Sequence, residues 1–572
     1  MAVHNADIAA IFSEIADLLE IENANPFRIR AYRNAARTVG DLGQDVQAII
    51  ASERGLTGLP GIGSDLAGKI REIVDTGKSS FLDGLRREVP PAVSELLRIP
   101  NLGPKRVRLL WQELGIETVE QLHRAACDGR IREVPGFGEK FEEKIRLAVE
   151  ANLGQERRLK LAIAAQYAEA LVAHLKGVAG VERVEVAGSY RRQRETVGDL
   201  DILVVASPRS KVMAAFTGYE EVAEVLANGP TRASIRLNSG LQVDLRVVSG
   251  ESYGAALYYF TGSKPHNIAV RRMAQGKGLK INEYGVFRGE QRIAGKTEES
   301  VFQAVGLPWI PPELRENRGE IAAAQAGALP RLVELKDLRG DLHAHTRATD
   351  GHDTLENMAR AAAAAGLDYL AITEHSRRLA MAHGLDAERL ARQIDEIDRL
   401  NESLSGIRLL KGIEVDILED GSLDLPDSIL ARLDLVVGAV HSRFDLARAR
   451  QTERILKAMD DRHFTLLAHP SGRLIDERAP YDVDMARLIA HAKSRGCCLE
   501  LNAHPERLDL LDTWCMAAKE AGVLIAIDSD AHSVRDFANL RFGVGQARRG
   551  WLTAENVLNT RPLAELLKLL RH

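Results

Sequence analysis

The chain has 572 residues, 45% hydrophobic and 27% charged, with 76 basic and 81 acidic side chains and a formal net charge of −5. These values exclude a disordered chain, a collagen-like repeat or a coiled-coil rod, and at about 100–200 residues per domain they call for several domains. Four cysteines (Cys127, Cys497, Cys498 and Cys515) show neither framework nor ligand spacing, which excludes a disulfide scaffold and fits a reducing compartment. The first residues lack a basic segment followed by an apolar stretch, and no apolar run approaches the ~20 residues needed to span a bilayer, so a cytoplasmic protein without membrane contact is expected. Charge and histidine are both unevenly spread. Residues 157–318 carry 23 basic and 17 acidic side chains, the region from Asp341 is net acidic, and 12 of the 16 histidines lie from His343 onward. Such a split predicts different chemistry in the two halves.

Residues 1–155 read as helices, with Ile8, Ile11, Ile15, Leu18 and Leu19 at helical spacing. Three turns of one pattern interrupt them: Leu59-Pro60-Gly61-Ile62-Gly63, Ile99-Pro100-Asn101-Leu102-Gly103 and Val134-Pro135-Gly136-Phe137-Gly138. Each is followed by a helical stretch carrying a lysine: Lys69, Lys105 and Lys140. This is the helix-hairpin-helix pattern, in which glycines allow close approach and the next helix start offers N–H groups to a phosphate. One copy is as well explained by a tight helix connection. Three copies favour sequence-independent DNA binding through Gly61, Gly63, Gly103, Lys105, Gly136, Gly138 and Lys140.

A helix over 157–175 precedes strand signals at 184–186, 201–205 and 241–247. Gly188-Ser189-Tyr190-Arg191-Arg192 leads into Gly198-Asp199-Leu200-Asp201. Asp199 and Asp201 are two apart on a strand, so their carboxylates share a side, and Asp244 on the alternating strand offers a third. Adjacent carboxylates repel unless a divalent cation lies between them, and such a set suits metal-assisted phosphoryl transfer. A lone Asp-x-Asp is usually a solvated strand end; the ordered series of motifs favours a nucleotidyltransferase.

With these motifs the sequence resembles the family X DNA polymerases. The resemblance extends to Tyr259-Phe260-Thr261-Gly262-Ser263, Asn267, Arg271 and Ile281-Asn282-Glu283-Tyr284. It implies metal binding and catalysis by Asp199, Asp201 and Asp244, with Mg²⁺ or Mn²⁺. It implies nucleotide binding by Gly188, Ser189, Arg192, Gly198, Tyr259, Phe260, Gly262, Asn267 and Arg271. It also places Lys69 where related repair polymerases form a Schiff base with an abasic sugar. A phosphate-gripping lysine of those relatives is Asp65 here, and a plain DNA-phosphate or surface role for Lys69 is the alternative.

The stretch 307–338 reads as a connector. From 340 on, short apolar strands alternate with helices, so a barrel of mostly parallel strands is expected. His343, His345, Asp350, His375, Glu414, His441, His469, Asp530 and His532 each fall at or just after a strand, where such barrels gather site residues. Mixed imidazole and carboxylate ligands suit Mn²⁺, Zn²⁺ or Fe²⁺. His352, His383, His463, His491 and His504 lack that placement. This half resembles the PHP (polymerase and histidinol phosphatase) domain, a seven-stranded βα barrel with up to three metals, and the nine residues match its ligand pattern.

The resemblances together imply a multidomain α+β and α/β protein. Its expected parts are a lyase-like DNA-binding domain (1–85), helix-hairpin-helix fingers (86–155), a nucleotidyltransferase palm (156–250), a thumb (251–318), a linker (319–338) and a PHP barrel (339–572). They imply gap-filling DNA synthesis on gapped or nicked duplex with dNTPs. They also imply a 3′→5′ exonuclease in the barrel, with room for an abasic-site endonuclease, in a monomeric repair enzyme. Two alternatives remain at this level: a barrel that hydrolyses a small phosphate ester or pyrophosphate, and a DNA-end-binding scaffold with degenerate sites.

Overall fold

Helical periodicity in the first segment buries Ile8, Phe12, Ile15, Leu18 and Leu19 along Asn5–Ile21, against Tyr32, Ala35 and Val39 of Pro26–Gly40. The computed structural model of the chain describes residues 3–40, 42, 46–50, 55–99, 102–152 and 158–570. Pro100 and Asn101 of the second turn lie outside them. The chain divides into two compact units. The first is Met1–Arg158 with Gly218–Glu224 and Arg236–Leu241, and the second comprises Leu159–Thr217, Val225–Ile235 and Gln242–His572.

Within the first unit the three turns share one construction. The backbone closes from Ile62 to Leu59, Leu102 to Ile99 and Phe137 to Val134, at 3.2, 3.0 and 3.0 Å. Each turn buries this apolar pair and leaves its final glycine exposed. Helices Ser64–Thr76, Pro104–Leu114 and Glu139–Asn152 start directly after these glycines.

The chain after Arg158 forms a five-stranded sheet, two smaller sheets and a seven-stranded one. In the five-stranded sheet, Val181–Val186 runs antiparallel to Asp199–Ala206, which runs parallel to Gln242–Val248. The alternating 241–247 pattern thus forms the expected strand. The helix expected over 157–175 is Leu161–Lys176. The seven-stranded sheet runs in chain order from Gly340–Asp341 to Ile525–Asp528, and every neighbouring pair is parallel. A bridge between Ala344 and Ala531 brings its two edges together, so the barrel is nearly closed. Two of its strands, Gly340–Asp341 and Leu466–Leu467, are only two residues long, shorter than their apolar runs in the sequence.

The stretch read as a connector is packed. Leu307, Ile310, Leu314, Ala324 and Leu332 share one apolar cluster with Tyr258, Phe302 and Trp551. The Val333 N–H donates to the Leu552 carbonyl at 2.9 Å. The prolines and alanines that suggested a loose link instead lie against both the thumb and the barrel, because the apolar residues between them need burial.

A charge cluster joins the short helix at Arg191 to the segment 298–315. Glu298 accepts two hydrogen bonds from Arg191 at 2.8 Å each, one from Arg315 at 2.6 Å and one from the Trp309 indole at 3.1 Å. Arg315 is completely buried. Burial alone would raise the Glu298 carboxyl, but the two guanidinium groups hold it down at about 2. Removing one member of a buried pair leaves its partner poorly compensated, so Arg315→Met should cost about 3 kcal/mol of stability. Denaturant unfolding of the full chain checks this; an unchanged midpoint would show that Arg191 alone satisfies Glu298.

Candidate active sites

The parallel register of Asp199–Ala206 and Gln242–Val248 sets Asp201 opposite Asp244. Asp199 lies two residues before Asp201 on the same strand face, as the spacing predicts. Burial pushes the Asp201 carboxyl up to about 7, and the charges of Asp199 and Asp244 add to the effect. Asp244 accepts from the Ser234 hydroxyl and from Gln242 Nε2 at 3.3 Å. A carboxyl raised by burial and by two neighbouring carboxylates marks a site suited to a cation.

Gly188 opens the short helix Gly188–Arg191 at φ +64°, and a Cβ there would stand 3.0 Å from Asp201 Oδ2. Only glycine allows both the backbone angle and the approach. The Ser189 hydroxyl is buried and has no hydrogen-bond partner among the described residues. Arg192 donates from Nε to Glu316 Oε1 at 3.0 Å and from Nη1 to the Thr261 carbonyl. Tyr259 and Phe260 end the helix Tyr253–Thr261, which is capped by Gly262 at φ +70°. Asn267 Nδ2 donates to the Tyr259 carbonyl at 2.8 Å, while its Oδ1 is buried without a partner. Arg246 stacks over the Phe260 ring at 4.4 Å. Arg271, on Lys264–Gly276, is exposed. Gly198 immediately precedes the strand that carries Asp199 and Asp201. These residues therefore line up along the two strand ends and the turn at Gly262.

In the first unit, Lys105 and Lys140 are exposed in the first turns of their helices. Gly61 and Gly136 take φ values of +67° and +89°, and an added Cβ at Gly63, Gly103 or Gly138 would meet nothing within 4 Å. Lys69 differs from the other two lysines. Its Nζ pairs with Asp65 one turn earlier at 2.5 Å, and Arg33 pairs with Asp17 and Glu20. Schiff-base chemistry needs an unpaired amine, and Asp65 occupies this one.

The barrel gathers its histidines at the carboxyl ends of the strands. His343, His345, Asp530 form one group whose potential ligand atoms lie within 4.8 Å of one another. His345, Asp350, His375, His532 form a second group and His375, Glu414, His441 a third. Shared members join the three. Glu414 Oε2 is 2.8 Å from His375 Nδ1 and 3.4 Å from His343 Nε2, and its Oε1 is 3.2 Å from His441 Nε2. His469 belongs to none of the tight groups; its Nε2 lies 2.9 Å from Glu414 Oε1.

Among the described residues, ring nitrogens of His343, His345, His375, His441 and His469 and oxygens of Asp350 and Glu414 are buried without hydrogen-bond partners. Native proteins leave few such atoms unpaired. Lone pairs of imidazole and carboxylate converging in this way fit divalent metal ions. Burial would lower the basicity of His375 and His441, but Glu414 beside both raises them to about 9 and about 10. His345 goes the other way, to about 3, through burial and the neighbouring His532 and His375.

Sequence reasoning missed the groups that orient these ligands. Glu500, fully buried in Cys498–Asn502, takes His343 Nδ1 at 2.6 Å and the His469 N–H at 2.5 Å. Asp416 lies 3.4 Å from His441 Nδ1, and Asn502 donates to Asp530 at 2.9 Å. Glu374 accepts from the Thr346 and Thr349 hydroxyls and from Gln393, fixing the loop after His345. A carboxylate inside an otherwise apolar strand was the available signal for Glu500. His504, set aside in the sequence, is pushed down to about 4 by burial, with Asp530 opposing. His463 and His491 pair with Asp427 and Asp460 and take no part in the site.

Family profiles match along the chain in this order: "Helix-hairpin-helix domain" at 3–79, "SAM-like Helix-hairpin-helix tandem" at 93–151, "DNA polymerase beta palm" at 162–231, "DNA polymerase beta thumb" at 256–316 and "PHP domain" at 341–504. The chain is 38% identical over 573 residues to the "DNA polymerase/3'-5' exonuclease PolX" of Bacillus subtilis (strain 168), covering 100% of both. A "Probable phosphatase" of Thermoanaerobacter sp. (strain X514) is 30% identical over 235 residues, covering 38% of this chain and 89% of that protein. A solved structure of Leishmania infantum polymerase beta matches 39% of this chain and 98% of its own at 21% identity with a TM-score of 0.27.

Neutralising Asp201 separates stability from chemistry. Asp201→Asn removes one of three repelling charges, so the metal-free protein should melt at a higher temperature than wild type. Nucleotide addition should fall by roughly 100-fold or more, the usual scale for losing a charge-stabilising group. Thermal melts in EDTA and single-nucleotide incorporation assays check the two halves; a folded variant that extends primers normally would remove these carboxylates from the reaction.

Proposed function

The chain belongs to the family X DNA polymerases that carry a C-terminal PHP domain, and we propose that it fills short gaps in duplex DNA from the palm and trims 3′ ends from the barrel. The observation that carries this reading is the pairing of Asp201 with Asp244 across two parallel strands, beside a separate barrel cluster of orphaned imidazole and carboxylate atoms. Divalent ions serve both sites, Mg²⁺ or Mn²⁺ at the palm and up to three of Mn²⁺, Zn²⁺ or Fe²⁺ at the barrel. Bound cations supply charge neutralisation at both sites and Lewis acidity toward a phosphodiester at the barrel.

The protein's own groups do the rest. Asp199, Asp201 and Asp244 would hold the cations that neutralise charge at the palm. The Gly188–Ser189 turn brings N–H and hydroxyl donors to the triphosphate, and Arg192 offers a guanidinium edge to it. The Tyr259–Gly262 turn shapes the sugar pocket, Asn267 meets the incoming nucleotide and Arg271 reaches toward the template. In the barrel, His343, His345, His375, His441, Glu414 and Asp530 form the buried floor. Asp350 and His532, each about one-third exposed, face the entering strand. The three glycine turns with Lys105 and Lys140 grip the phosphate backbone, with Lys69 as an ion-paired cation at the first turn.

We place the domain boundaries as read from the sequence, with 319–338 as a packed strap rather than a free linker. The protein acts in the cytoplasm on nucleoid DNA as a monomer.

One incubation tests the assignment. Full-length protein, a 5′-labelled gapped duplex and Mn²⁺ should give gap extension with dNTPs and 3′ shortening without them. His343→Ala with His345→Ala should abolish shortening and keep extension within about twofold, because the carboxylates of the palm are different residues. If instead the double variant hydrolyses DNA normally but loses activity on a small phosphate ester, the barrel is a small-molecule phosphatase.

Affinity for gapped DNA should fall steeply as salt rises. With several phosphates held by lysines and helix starts, the log–log slope should be about −0.9 per phosphate contact. Removing Lys105 and Lys140 together should flatten that slope by about two. Fluorescence anisotropy across a salt series gives the number, and an unaltered slope would remove these turns from the DNA grip.

A further inference from the structure

Arg192 does not stand alone beside the palm carboxylates. Its guanidinium meets Glu316 through Nε at 3.0 Å, and Glu316 Oε1 also accepts from Nη1 of Arg549 at 2.9 Å. Arg549 closes the barrel helix Leu540–Arg549, more than two hundred residues further along the chain. The same Nη1 donates to the Arg192 carbonyl at 2.8 Å, so Arg549 holds both the side-chain partner and the backbone of Arg192. Its Nη2 donates at 2.7 Å to Asp512, which Arg318 also meets at 2.9 Å. Charges thus alternate from Arg192 through Glu316, Arg549 and Asp512 to Arg318. All of these lie in one compact unit. Arg549 is 3% exposed, Glu316 10% and Arg192 12%, so none of this is a solvated surface pairing.

The arrangement has an electrostatic consequence. An arginine held by a carboxylate of its own is a dipole, and a triphosphate must compete with that carboxylate for it. Here Glu316 is shared among Arg192, Arg549 and, at 3.7 Å, Arg194, so Arg192 keeps a surplus of positive charge. Its Nη2 has no hydrogen-bond partner among the described residues, which leaves one edge of the fork for a phosphate oxygen. Burial would raise the Glu316 carboxyl, yet Arg192 and Arg549 together keep it below its ordinary value, so it stays an anion able to bridge them.

We propose that Arg549, a residue of the PHP barrel, is a positioning residue for nucleotide addition. It orients Arg192 through Glu316 and keeps that arginine's charge directed at the triphosphate of the incoming nucleotide. The proposal rests on the reading of Arg192 as a triphosphate ligand. It makes the barrel part of the polymerase site irrespective of the barrel's own chemistry.

The test is steady-state incorporation on gapped DNA by the full chain, with the 3′ nuclease of the same preparation as the measure of an intact barrel. Arg549→Ala should raise the KM for dNTP about tenfold with kcat within about twofold, and leave the nuclease unchanged. Arg549→Lys keeps a cation beside Asp512 but loses the fork, and should give an intermediate KM. Arg192→Ala should raise the same KM, and adding Arg549→Ala to it should change little, because the second residue acts through the first. An unchanged KM in Arg549→Ala while Arg192→Ala raises it would overturn the proposal. So would additive effects in the double variant, or parallel losses of synthesis and nuclease, which mark a scaffold role alone. An Arg192→Ala variant with wild-type KM would overturn the reading on which the proposal stands.

Discussion

Charged groups crowded together by strand pairing dominate the second unit of this protein. Asp199, Asp201 and Asp244 converge at the ends of two parallel strands, and Glu414 sits within reach of five histidines near a barrel axis. Neither cluster would form by itself, because burying a carboxylate or crowding several together costs free energy. The surrounding structure imposes both. Parallel pairing fixes the register of neighbouring strands, and residues at matching positions then meet whether or not they repel. The hydrophobic strands beneath supply the driving force: Leu200, Ile202, Val243 and Leu245 are fully buried under the first cluster, and Leu370, Leu410, Val437 and Leu499 under the second.

The two clusters handle their charge in different ways. The barrel sets imidazoles among its carboxylates, so protons on His375 and His441 can balance Glu414 when no cation is present. Glu500 and Asp416 then fix which ring nitrogen faces inward. The palm has no histidine beside its three aspartates and relies on a serine and a glutamine at Asp244. Arg246 and Arg192 offset part of the repulsion at Asp201, whose carboxyl still sits at about 7. The barrel is therefore organised before any ion arrives, and the palm depends more on the ion to order it.

Much of this was legible in the sequence, for local reasons. The two-residue spacing of Asp199 and Asp201 is itself strand geometry, and the alternation around Asp244 places that residue on the same face of the neighbouring strand. Ligands that directly follow apolar strands must gather at one end of a parallel barrel. The glycine turns carry their conformation in their composition. What the sequence could not reveal is what distant segments do to one another. Glu500 reads as an ordinary polar residue in a strand, and only the barrel's closure brings it under His343. The connector reads as loose because prolines and alanines are common in loops, but Leu307, Ile310 and Leu314 find a cluster to join. Lys69 follows its turn as expected, yet Asp65 one helical turn earlier pairs with it, a contact that spacing allows but does not require.

Contacts of the palm and thumb segments with the barrel follow the same logic. Lys160 reaches Glu506 and Glu477, Arg473 reaches Glu195 at 2.7 Å, and Arg548 reaches Glu313 at 2.7 Å. Each joins an arginine or lysine on one body to a carboxylate on the other, mostly out of solvent. Solvent-exposed pairs of this kind contribute little and are screened by salt, whereas buried ones enforce a specific arrangement once formed. A flexible tether would have sufficed if the barrel needed only to be near the DNA. A dry polar interface that includes the backbone of Arg192 does more, because it fixes the orientation of the barrel to within the tolerance of a hydrogen bond. The two chemistries are separate in their ligands and joined in their geometry. Loosening the interface should therefore disturb the palm, which has few internal supports for its charges, before it disturbs the barrel.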